Sequence, residues 1–112
     1  MSRNPEAEEL FSELSRVREL LSMGWTQETY ARDADHAACE PAAPQAVCFC
    51  VLGACVKVEV ETGHNPVYHF LSEIKRAGYL DVPTYNDDPE RTKEDILGLC
   101  DKVIERAKKT YE

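Results

Sequence analysis

The sequence predicts an all-α fold: a compact four-helix domain over residues 1–112, with two long polar loops. Three observations predict it. Three segments repeat apolar residues every three or four positions, the period of a helix with one buried face. Each of the three opens on a residue suited to capping a helix. A fourth segment, near 44–58, is apolar enough and long enough to be a helix buried on several sides.

The first helix is expected over residues 5–22. Asn4 caps it, Pro5 suits the first helical position, and Glu6, Glu8 and Glu9 place negative charge at the positive end of the dipole. Leu10, Leu14, Val17 and Leu21 form its apolar face, with Phe11 and Leu20 beside them, and Gly24 is placed to end it in a left-handed cap. Residues 24–45 then read as an irregular segment, with room for a short β element near residues 26–37.

The run from Ala46 to Val56 is the ambiguous one. Its length favours a helix from about Pro44 to Val58, ended by Thr62-Gly63, while Val56-Lys57-Val58-Glu59-Val60-Glu61 alternates as a half-buried strand does. Residues 66–77 form the next helix, with Asn65 as cap, Pro66 at its first position, Val67, Phe70, Leu71 and Ile74 on one face, and Gly78 as its stop. Residues 79–91 read as the second loop. Thr92 opens the last helix, to about Lys109, with Asp95 completing a capping-box arrangement. Ile96, Leu99, Val103 and Ala107 line its face, and Lys102, Arg106, Lys108 and Lys109 gather toward its end.

Charge and cysteine usage narrow the function classes. The formal net charge of −8 opposes nucleic acid or an anionic membrane as a general partner, because both require a basic surface. No apolar run approaches the roughly 20 residues of a membrane span. The start of the chain lacks a basic segment followed by an apolar one, and the five cysteines are odd in number, so the expected location is the cytoplasm with reduced thiols. Cys48, Cys50, Cys55 and Cys39, with His36 and His64, do not have zinc-site spacing and read as packed thiols. Asp33-Ala34-Asp35 lacks the later ligands of a calcium loop, so no metal is expected. No nucleophile elbow, phosphate loop or dinucleotide fingerprint is present, and no cofactor is implied.

The candidate binding residues lie on the two loops: Trp25, Gln27, Arg32, Asp33 and Asp35 on the first, and Tyr85, Asn86, Asp87 and Arg91 on the second. An arginine beside carboxylates and an aromatic face can hold a carboxylate or phosphate bidentately. The same residues can instead tie the loops together, Arg32 with Asp87 or Asp33 with Arg91, and Trp25 reads as a core anchor. The acidic cluster Asp81, Asp87, Asp88 and Glu90 has no account from capping alone.

The runs Gly24-Trp25-Thr26-Gln27 and Tyr30-Ala31-Arg32-Asp33-Ala34-Asp35, then Ala46 to Ala54, then Pro83 to Thr92 occur in a fixed order. In this the chain, over about residues 10–106, resembles a family of small bacterial and phage proteins classed as a domain of unknown function. In that family a glycine often stands where this chain has His36. The resemblance implies a mostly helical intracellular domain and brings no activity with it. The expected function is therefore a non-enzymatic protein-binding or regulatory module of phage or mobile-element origin. The alternative is a small-molecule-binding domain or small enzyme using Arg32 and Asp33 with Tyr85, Asn86 and Asp87.

Overall fold

A computed structural model describes residues 4–111. Helix α1 covers Pro5–Met23, strand β1 Ala31–Arg32, strand β2 Cys48–Phe49, α2 Val51–Thr62, α3 Val67–Arg76, α4 Val82–Asn86 and α5 Lys93–Tyr111. The fold is mostly helical, as the sequence predicts. The four expected helices are joined by a fifth, the five-residue α4, inside what reads as the second loop.

The helix ends follow from local chemistry. Asn4 Oδ1 accepts from the N–H groups of Glu6 and Ala7 at the start of α1. Thr92 and Asp95 cap each other reciprocally, Asp95 N–H donating to Thr92 Oγ1 at 3.2 Å and Thr92 N–H to Asp95 Oδ2 at 3.0 Å. Asn65 Oδ1 accepts from Val67 N–H, although α3 begins one residue later than the proline predicts. Asp81 opens α4 by accepting from Thr84 N–H at 2.8 Å.

Burial matches the predicted periodicity. Leu14, Val17 and Leu21 of α1, Phe70 and Ile74 of α3, and Ile96 of α5 are fully buried. Helices α1 and α5, each of 19 residues, form the main contact of the domain, with α2 against α1 and α3 against α5. Each large apolar side chain so buried contributes about 1.5–3 kcal/mol relative to exposure. Cys55 and Cys100 lie in the same core. Burial pushes the Cys100 thiol up to about 12 and raises that of Cys55 as well. Both act as small packing groups.

Two expectations are corrected. The second helix starts at Val51, not near Pro44, and it continues through the alternating Val56–Glu61 stretch to Thr62. Cys48 and Phe49 are instead extended, with segments on both sides. Ala31 pairs with Phe49 and Arg32 with Cys48 antiparallel, while Phe49 N–H donates to Gly24 O and Thr26 N–H to Phe49 O on the other flank. A further antiparallel bridge joins Arg32 to Ala38. The apolar character of this run thus serves a buried ladder, whose backbone groups are satisfied by neighbours rather than by a helix.

Gly24 is also not a left-handed cap. Its φ of −172° is extended backbone. Gly24 does end α1, its N–H donating to Leu20 O, but a Cβ there would collide with the carbonyl oxygen of Val47, so the glycine is required for the close approach of the ladder and not for a left-handed turn. Gly53 has the same role on the other flank, where a Cβ would run into the carbonyl of Tyr30. Gly63 does take the left-handed C-cap of α2, at φ 87°.

Candidate functional site

The two loops meet, and Asn86 is where they meet. This side chain is 1% exposed. Its Oδ1 accepts from Trp25 Nε1 and from the N–H of Val51, both at 3.0 Å. Its Nδ2 donates to Thr26 O at 3.1 Å and to Asp87 Oδ1 at 2.9 Å. One amide therefore uses both donors and both acceptor sites, linking the first loop, the start of α2 and the end of α4.

Its neighbours extend the tie. Gln27 Nε2 donates to the carbonyls of Asn86 and Asp88, at 3.0 and 2.9 Å. Asp87 Oδ1 also accepts from Glu28 N–H at 2.9 Å. That bond holds Glu28 at φ 69°, a left-handed conformation uncommon outside glycine. Trp25 packs against the core through its ring while its N–H reaches Asn86.

The two expected salt-bridge ties do not form. Arg32 donates to Thr26 Oγ1 at 2.8 Å, His36 O at 3.0 Å and Gln27 O at 3.2 Å, all within its own loop, so it does not pair with Asp87. Asp33 does not pair with Arg91. Its Oδ1 accepts from the N–H groups of Asp35 and Ala37 and closes the turn before Ala38, with His36 at φ 66°. Asp35 is exposed and contributes only its N–H. The physical reason is backbone satisfaction: these tight turns leave polar main-chain groups that the nearest charged side chains bind first.

Arg91 is held elsewhere again. Its guanidinium lies 3.7 Å from the Tyr85 ring centroid and 5.1 Å from that of Tyr79, and its Nε donates to Tyr85 O at 2.9 Å. Tyr79 and Tyr85 meet edge to face at 5.0 Å. The acidic groups Asp88 and Asp95 flank this cation at 3.9 Å each.

A cleft of about 180 Å³ opens beside the Asn86 tie. Leu52, Val82 and Pro83 give it apolar walls, and Glu28, Tyr30 and Asp87 stand around it. Cys50, 7% exposed, also lines it, and its Sγ accepts from Gly53 N–H at 3.2 Å at the start of α2. Burial raises the Cys50 thiol above its ordinary value, which opposes a thiolate there. Of the expected residues, the cleft takes in Asn86 and Asp87. Glu28, Tyr30, Leu52 and Pro83 are not among the expected binding residues, although Tyr30, Leu52 and Pro83 lie within the ordered motifs, the signal that could have found them.

Two wider grooves, of about 330 and 360 Å³, border Glu73 between α3 and α5. Their charges largely answer one another. Arg106 donates to Glu73 at 2.6 and 3.3 Å, and Lys109 pairs with Glu105 at 3.4 Å. Among the described residues, no three His, Cys, Asp or Glu side chains gather as a metal-ligand set. Among the described residues, no helix is long and apolar enough to cross a membrane.

A family model described as a family of unknown function, DUF6197, matches residues 7–106, and the chain belongs to that family. No curated protein and no solved structure matches the chain.

Proposed function

We propose that this member of the family is a protein-binding module and that the cleft beside Asn86 is its docking face. One observation carries the reading. Most polar side chains of the two motif loops are committed to internal bonds, whereas Glu28 and Tyr30 at the cleft are left open. Gln27, Arg32, Asn86 and Arg91 all bond to the protein's own backbone. Tyr30 is 54% exposed, and neither it nor Glu28 has a side-chain hydrogen bond among the described residues.

The size of the cleft favours a protein over a small molecule. About 180 Å³ falls below the roughly 300–1,000 Å³ of ordinary small-molecule sites. It suits one or two side chains of a partner, with Tyr30 as an aromatic anchor. Gln27, Arg32, Asn86 and Arg91 then serve as the rigid frame of a binding face whose contacts include Tyr30 and Asp87. The five cysteines are free thiols, which fits a reducing compartment, and we place the protein in the cytoplasm, in keeping with a phage or mobile-element regulator.

Affinity capture with the wild-type chain and a Tyr30→Ala/Pro83→Lys variant tests the reading. The variant removes the exposed ring and fills the cleft from an exposed position. Loss of a reproducibly captured protein supports the proposal. An identical set of captured proteins from both chains overturns it.

A further inference from the structure

We infer that the cleft receives a cationic side chain, an arginine or lysine presented by a basic segment of the partner protein. This rests on the protein-binding reading and names the chemistry of the segment bound. The argument is one of uncompensated charge over an apolar wall. Glu28 and Asp87 both border the cleft, and among the described residues no lysine or arginine lines it. The nearby cation on the first loop is spent, since Arg32 donates to three oxygens of its own loop. The bonds to Asp87 both end on Oδ1, from Glu28 N–H and Asn86 Nδ2, which leaves Oδ2 for an incoming donor.

The remaining walls suit the rest of such a side chain. Arginine and lysine carry apolar stems that cover hydrophobic surface while the charged end reaches a polar partner. Leu52, Val82 and Pro83 offer that surface. The Tyr30 ring offers a face for the cation itself. The geometry is set in advance: the same Asp87 oxygen that holds Glu28 N–H is fixed by Asn86, so the two carboxylate-bearing residues are positioned together before any partner arrives. The net charge of −8 adds long-range attraction for a basic segment.

The test uses the full chain labelled with ¹⁵N and three blocked pentapeptides, Gly-Ser-X-Ser-Gly, in which X is arginine, lysine or uncharged citrulline. Saturable amide shifts at Glu28, Tyr30, Leu52 and Asp87 are expected with arginine and lysine, and affinity about tenfold lower with citrulline. Glu28→Gln/Asp87→Asn keeps the Oδ1 acceptor and is expected to weaken the arginine peptide about tenfold while leaving the remaining spectrum in place. Absence of saturable shifts up to millimolar arginine peptide, or equal binding of citrulline, overturns the inference. If that happens while protein capture still depends on Tyr30 and Pro83, the docking face stands and only its preference for a cation falls. If capture ignores the cleft as well, both fall.

Discussion

The Trp25 indole N–H donates to Asn86 Oδ1 at 3.0 Å across 61 residues of sequence. The same oxygen accepts from Val51 N–H at the first turn of α2. A single buried acceptor therefore joins the end of α1, the start of α2 and the end of α4. The cleft exists where it does because these three ends are held together.

Replacing Asn86 removes that junction. Asn86→Ala leaves the Trp25 and Val51 donors and the Thr26 carbonyl without their buried partner. With each orphaned group costing about 1–3 kcal/mol, the expected loss is about 3–5 kcal/mol. Urea denaturation followed by circular dichroism measures it. A loss well under 1 kcal/mol would mean that the loops are held by something else.

The glycines separate close approach from mere flexibility. Gly53→Ala forces a Cβ into the Tyr30 carbonyl and is expected to cost about 3 kcal/mol or more. Gly98, inside α5, has nothing within 4 Å of a built Cβ. Gly98→Ala should stabilise the domain by about 0.5–1 kcal/mol. Paired thermal melts check the opposite signs.

His36 occupies a left-handed position at φ 66° in the turn closed by Asp33. His36→Gly relieves about 1 kcal/mol of backbone cost and regains part of it as unfolded-chain entropy. The expected result is unchanged or slightly raised stability. A clear drop in melting temperature would show that the imidazole itself makes a stabilising contact.

The Glu73–Arg106 pair sets a dependence on pH. The Arg106 hydrogen bond holds the buried Glu73 carboxyl below its ordinary value near 4.5. A depressed folded value means that the stabilisation is complete above that ordinary value. It is lost as the pH falls through the folded value. Glu73→Gln should therefore lower the urea midpoint at pH 7, and the gap from wild type should close in acid. Arg106 is half exposed, so solvent screens the pair and the gap is modest. A gap that widens in acid would reverse the assignment.

Legibility in the sequence follows the range of the forces involved. Helices α1, α3 and α5 are visible because their caps and apolar periods are local: Asn4, Asn65 and Thr92 all bond their own first turns. The start of α2 is not visible. Its boundary depends on Phe49 being paired by Gly24, Thr26 and Ala31, all distant in sequence. The motif residues could be picked out as a set, but not their partners. Asp33 and Arg32 satisfy turn backbone that composition does not reveal, and Asn86 emerges as the junction only once three chain ends are in place. The cleft escaped for the same reason: its walls come from the first loop, α2 and α4, and although Tyr30, Cys50, Leu52 and Pro83 lie in the ordered motifs, only Asn86 and Asp87 read as binding residues.

The most direct measurement is site-specific photo-crosslinking from position 30 in cells. A benzoylphenylalanine at Tyr30 stands beside the cleft, and one at Tyr68, 71% exposed on α3, serves as a more accessible control. The docking account predicts a discrete protein adduct from position 30, absent from position 68 and lost with Glu28→Gln/Asp87→Asn. The same adducts from both positions, or none from position 30, would contradict it.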